Sequence, residues 1–225
     1  MVLLAGCPNL RVLRCPKCSP TPGNRSPRSR VDVPVMEKLE SITLTSVFLR
    51  HYLPRDKGAN RLPSLRQLTY DCIPPPFFDH AWRNFVKLSC SAVTSVTLDF
   101  CLQPGDTLQK EFDLLAECCP ALDKLVIYFH SWLDFVDFLV LPSTISHLCI
   151  HSKVAQLSSF HYDALVVALA TLTASGLKSI RVLHASAVKG LRRSLEPLLV
   201  DDVVCLASGP FRVQDSEDFV ICTAI

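Results

Sequence analysis

Glycine is scarce in this sequence, seven residues in 225 against a usual share of about 7%. None of the seven sits in a phosphate-cradling loop, which removes the commonest nucleotide-binding motifs. Nucleophile elbows and metal-protease helices are missing as well. Charge of one sign is also lacking: 23 basic and 21 acidic residues leave a net +2. A balance that close exerts no general pull on nucleic acid or an anionic membrane. The longest nearly unbroken apolar run, Ala164 to Leu172, falls far short of the about 20 residues a membrane span needs. Lys and Arg are absent ahead of Cys7. The opening Met1 to Cys7, although it spells a lipobox, therefore lacks a secretory n-region and reads better as the tail of a repeat helix. No membrane and no nucleic-acid partner is expected.

Cysteine, by contrast, is plentiful. Eleven residues, an odd number, argue against a closed disulfide framework and for free, mostly buried thiols in a reducing compartment, cytoplasmic or nuclear. Cys15-Pro16-Lys17-Cys18 has the spacing of a zinc or redox pair, but no second pair with that spacing exists. Cys15 reads instead as a core-facing residue, and no cofactor is expected.

What organises the chain is a pattern, apolar-x-x-apolar-x-apolar, that begins at Leu10, Leu39, Leu65, Val93, Leu122, Ile145 and Leu177. Those anchors are spaced around the leucine-rich-repeat period of roughly 20 to 29 residues. Within each copy the fourth and sixth positions are apolar and the third and fifth mostly are not, the alternation of a strand. The inward pairs are Leu13/Cys15, Ile42/Leu44, Leu68/Tyr70, Val96/Leu98, Leu125/Ile127, Leu148/Ile150 and Ile180/Val182. The fold class that follows is α/β: an irregular leucine-rich-repeat solenoid with short parallel strands and helical or irregular return segments. Seven strands about 4.8 Å apart would present an outer face on the order of 30 Å long, and solenoids bind through such surfaces.

The return limbs are expected as helices over Phe77 to Leu88, Leu108 to Cys118, Trp132 to Leu139 and Tyr162 to Thr173. Leu108, Phe112, Leu115 and Ala116 form an apolar stripe, with Asp106 or Thr107 as a cap and Pro120 past the end. Gly176 follows the fourth segment where a C-terminal cap would sit. Residues 1–190 are thus read as one solenoid of about seven repeats, interrupted by a disordered loop over 19–34 rich in Pro, Ser and Arg. Residues 191–225 are read as an atypical closing repeat or cap. Both ends are abrupt, so the chain is read as a fragment of something longer.

Candidate chemistry is sparse. His147, Cys149 and His151 alternate along the sixth strand and would all project from the open face, but residues two apart are separated by about 6.6 Å. One metal would bridge two of them, not three. The acid pairs Asp201-Asp202 and Glu217-Asp218 read as solvated turns in the divergent tail. A metal- or thiol-dependent enzyme centred on the sixth strand is the least supported class, and the chain is expected not to be an enzyme.

Leu3-Leu4-Ala5-Gly6-Cys7-Pro8-Asn9-Leu10 and Leu114-Leu115-Ala116-Glu117-Cys118-Cys119-Pro120-Ala121-Leu122 repeat one phrase: helix end, Cys-Pro, strand start. Cys18 and Cys101 each fall eight residues after an anchor, and Cys72 falls one residue early. In these features residues 1 to about 190 resemble the cysteine-containing leucine-rich repeats of F-box proteins of the diverged kind expanded in fungi. The resemblance implies a substrate receptor of a cullin-based ubiquitin ligase, whose repeat face selects an unknown target protein. Ligase subunits would be partners only through an F-box, an apolar helical module that is not among these residues. A repeat scaffold or inhibitor unrelated to ubiquitin is the alternative.

The residues expected to carry recognition are the outward alternates Thr43, Gln67, Thr69, Asp71, Thr97, Asp99, Lys124, Tyr128, His147, His151 and Arg181. Tyr128, His147 and Arg181 are the expected anchors, because aromatic and Arg side chains dominate interfaces. The register itself is testable by thermal unfolding. Leu98→Asp or Leu125→Asp should abolish cooperative folding, since each buries an unpaired charge, whereas Thr97→Asp on the other face should shift stability by no more than about 0.5 kcal/mol. Equal shifts for the two kinds of change would refute the register.

Overall fold

A computed structural model of the chain describes residues 7–14, 35–45, 49, 60–71, 80–100, 105–129, 140–152, 176–183, 188–189 and 211–220. Its strands are β1 (Val12–Arg14), β2 (Ser41–Thr45), β3 (Gln67–Asp71), β4 (Ser95–Phe100), β5 (Lys124–Phe129), β6 (His147–Ser152), β7 (Ser179–Val182) and β8 (Arg212–Gln214). All eight form one parallel sheet in strict sequence order. This α/β arrangement is solenoid-like: each strand pairs with the one before and the one after it in the chain. The eighth strand comes from the stretch read as the closing unit.

The period-two alternation holds strand by strand. Ile42, Leu44, Leu68, Tyr70, Val96, Leu98, Leu125, Ile127, Leu148, Ile150, Ile180 and Val182 are all buried in one core. Leu13 on the edge strand β1 is only partly buried, and Cys15 lies outside the described residues. The anchors Leu39, Leu65, Val93, Leu122, Ile145 and Leu177 join the same core.

The recurring Cys-Pro phrase has a backbone cause. Ahead of six anchors the chain closes a tight turn in which the anchor N–H donates to the carbonyl three residues earlier: Leu10 to Cys7, Leu39 to Met36, Leu65 to Leu62, Val93 to Cys90, Leu122 to Cys119 and Ile145 to Pro142. Pro8, Pro63 and Pro120 occupy the second position of their turns, where a fixed φ is favourable and no donor is lost. The residue opening each turn is buried at Met36, Leu62, Cys90 and Cys119, so a small or apolar side chain, often cysteine, fits there. Just past each turn one carbonyl accepts two N–H groups from the next repeat. The Arg66 carbonyl takes those of Thr94 and Ser95 at 2.9 and 3.0 Å, and the Thr94 carbonyl takes those of Asp123 and Lys124 at 3.0 Å each. This double acceptance recurs at Arg11, Glu40, Asp123 and Ser146.

Among the described residues two helices pack behind the sheet, α1 (His80–Ser89) and α2 (Gly105–Cys118). α2 begins at Gly105, earlier than the Leu108 start that the apolar stripe marked, so Asp106 and Thr107 lie inside its first turn. Phe112 and Leu115 are buried as that stripe predicts, but Ala116 is exposed and Leu114 takes its place in the core. Trp82 of α1 stacks on Tyr70 of β3, ring centroids 4.5 Å apart, and donates its indole N–H to Glu111 Oε2 of α2 at 2.7 Å. The segments 19–34, 132–139 and 162–173 lie outside the described residues. Gly176, read as a helix cap, has a different constraint here: a Cβ would come within 2.5 Å of the Ser143 carbonyl oxygen of the preceding repeat. The requirement at that position is closeness between repeats.

Burial pushes the Glu111 carboxyl above its usual range, offset in part by the Trp82 N–H and by Arg83. The folded chain therefore holds this proton more tightly than the unfolded chain does. The associated stability is present below the ordinary glutamate range and is lost as pH rises through it toward the raised value. Glu111→Gln keeps an acceptor for Trp82 and removes that loss. Denaturant titrations should show the Gln variant gaining on the parent between about pH 4 and pH 7; a constant difference across that range would refute the account.

Candidate functional face

Because the register is in phase across the sheet, the outward alternates line up in three rows that run from strand to strand. The first reads Val12, Ser41, Gln67, Ser95, Lys124, His147, Ser179, Arg212, and the second Arg14, Thr43, Thr69, Thr97, Val126, Cys149, Arg181, Gln214. The third reads Thr45, Asp71, Asp99, Tyr128, His151. All eleven sequence-predicted recognition residues fall in these rows. Gln67 and His147 are exposed; Thr43, Thr69, Thr97, Asp99, Lys124, Tyr128, His151 and Arg181 are half-buried. Asp71 is placed by its register alone.

The rows grade in chemistry. Thr43, Thr69 and Thr97 sit side by side in the middle row, and Asp71 and Asp99 are neighbours in the third. Lys124, His147, Arg181 and Arg212 gather toward β8. A chain with almost no net charge thus carries a local basic end on this face.

That end holds a pocket of about 160 Å³ lined by Lys124, His147, Cys149, Ser179 and Arg181. His147 Nδ1 lies 2.8 Å from Ser179 Oγ, and the Tyr128 and His151 rings meet at 5.0 Å. His147, Cys149 and His151 all lie on the outward rows, as their alternation predicts, but they are not equally accessible. Cys149 is 3% exposed, enclosed on its row between Val126 and Arg181, and forms the floor of the pocket. Among the described residues no group of three or more His, Cys, Asp or Glu is arranged to hold a metal.

Burial also pushes the Cys149 thiol up, against an opposing pull from Lys124 and Arg181. A thiol kept protonated is a poor nucleophile. Cys90 is raised further, by burial first and then by its contact with Cys119, and Cys118 is raised by burial and by Glu117. Cys15, Cys18 and the basic cluster Arg25, Arg28 and Arg30 lie outside the described residues.

Sequence reasoning passed over three contributors here. Ser179, beside His147 in the first row, contacts its ring. Arg212 extends the first row from a strand whose repeat spelling is degraded. Asp218, read as part of a solvated turn, is in a turn but forms an ion pair with Arg181. Spacing carries no signal for that last contact.

A larger cleft of about 570 Å³ lies between α1 and α2, lined by Arg83, Asn84, Lys87, Lys110, Asp113, Leu114 and Glu117. Its cations and carboxylates offset one another, with Lys87 and Glu117 3.8 Å apart. Among the described residues, no helix is long and apolar enough to cross a membrane. No protein-family model matches the sequence, and no curated protein matches it either.

Thiol accessibility should follow this geometry. In the native protein iodoacetamide should label the exposed Cys7 at least about tenfold faster than the buried Cys90 and Cys149. Peptide mass mapping over time would read the order, and equal rates would contradict the placement of Cys149 as a buried floor.

Proposed function

We propose that the chain is a non-catalytic protein-recognition module of the leucine-rich-repeat type, binding a target protein across the outer face of its sheet. The observation that carries this reading is the three-row register. It gathers polar, aromatic and charged side chains from successive strands on one face, while the apolar side chains of the same strands fill the core. A continuous surface of that kind is how solenoids engage partners. The enzyme reading has less support: Cys149 is buried with a raised thiol, and His147 is engaged with a serine hydroxyl.

The resemblance to F-box repeats extends the proposal to the substrate-recognition region of a cullin-based ubiquitin ligase receptor, working in the cytoplasm or nucleus. Its support is the turn that the Cys-Pro phrase builds ahead of the anchors. Co-purification of cullin-complex subunits with the endogenous gene product would uphold that extension. Their consistent absence would leave a scaffold or inhibitor.

The face itself is tested by affinity capture. The triple variant Tyr128→Ala, His147→Ala, Arg181→Ala should melt close to the parent, yet lose the proteins that the parent retains from an extract of its own organism. Anchors of this type are worth about 2 kcal/mol or more each, so the loss should exceed tenfold. Unchanged retention would remove the face as the binding surface.

A further inference from the structure

The pocket of about 160 Å³ at the basic end of the face is too small for a cofactor or a drug-sized ligand, which occupy roughly 300 to 1,000 Å³. It suits the head of one side chain. Its lining is chemically one-sided: Lys124 and Arg181 bring positive charge, His147 and Ser179 bring hydrogen-bonding groups, and none of the lining residues is acidic. The floor is Cys149, whose protonated thiol supplies no counter-charge.

A carboxylate does reach this end, from elsewhere in the chain. Asp218 pairs with Arg181 across 37 positions of sequence. The turn that delivers it is built for the purpose. Asp215 Oδ1 accepts the N–H groups of Glu217 and Phe219 at 2.9 and 3.0 Å, and Gln214 Nε2 donates to the Asp218 carbonyl at 3.1 Å. Asp218 itself holds φ at 71°, a left-handed conformation that most side chains avoid and that Asp and Asn tolerate best. The Asp218 side chain is 60% exposed and that of Arg181 27%. Ion pairs with that much access to water are weak, so an incoming anion displaces this one at little cost.

We propose that the pocket receives one oxyanion head group of a partner peptide, an Asp or Glu carboxylate or a phosphorylated hydroxyl, and that Asp218 occupies Arg181 in cis until the partner displaces it. This deepens the target-binding reading and rests on it. Apparent affinity is reduced by the fraction of molecules in which Asp218 holds the arginine.

The test uses the full chain and fluorescence anisotropy with three labelled probes: hexaglutamate, a neutral hexapeptide carrying one phosphoserine, and hexalysine. At least one anionic probe should bind the parent and hexalysine should not; the tighter of the two anionic probes assigns the source of the oxyanion. Asp218→Asn, which the left-handed position accommodates, should tighten binding about threefold to tenfold. Glu217→Gln makes the same charge change one residue away and should leave affinity within about twofold. Arg181→Gln and Lys124→Gln should each weaken binding, and in the Arg181→Gln background Asp218→Asn should have no further effect. Equal gains from Asp218→Asn and Glu217→Gln, or an undiminished gain without Arg181, would overturn the cis-occupancy. Absence of anionic-peptide binding in every variant, while captured partners still depend on Tyr128, would overturn the pocket and leave the recognition face standing.

Discussion

One carbonyl per repeat, accepting two N–H groups from the next, sets the phase of this molecule. It acts just after the tight turn that closes on the anchor residue and just before the strand pairs. Because side chains in a strand alternate faces with a period of two, a slip of one residue would bring Ser95, Thr97 and Lys124 into the core and expel Val96, Leu98 and Leu125. Burial of the inner face and the carbonyl ladder therefore enforce the same register, one through water exclusion and the other through directional hydrogen bonds.

The rows of the outer face follow from that phase. Residues 23 to 33 positions apart in sequence become neighbours at the strand spacing of about 4.8 Å, so that Lys124, His147 and Ser179 form a contiguous stretch of the first row. The row geometry is the basis of the recognition reading proposed above. It spreads functional groups along a plane, where a partner meets many of them at once. The concavity at the basic end has its only thiol on the floor, protonated and covered.

Behind the sheet, the contacts that differ from repeat to repeat are the specific ones. Trp82 bridges β3 and α2 by stacking on Tyr70 and donating to Glu111, a carboxyl buried among apolar side chains. A buried acid that holds its proton tightly still offers its other oxygen as an acceptor. Gly176 marks the other kind of constraint, where successive repeats approach too closely for any side chain.

The order of the strands, their alternation and the identity of the core residues were legible in the residues alone, because burial on one face of a strand leaves a period that survives divergence. The same period located the outward positions proposed for recognition, since an outward position is simply one that the core does not claim. Helix limits were less legible: α2 starts before its apolar stripe does, because a first turn needs no buried contact. The burial of Cys149 was hidden, since alternation assigns a side to a residue but not the neighbours that cover it. The Arg181 to Asp218 pair lay further out of reach. It joins two polar residues through a turn after the last strand, and neither periodicity nor spacing relates them. The inner face of this protein was determined by its sequence through hydrophobic pattern, whereas the charge contacts on its outer face were decided only when the tertiary structure brought distant turns beside the strands.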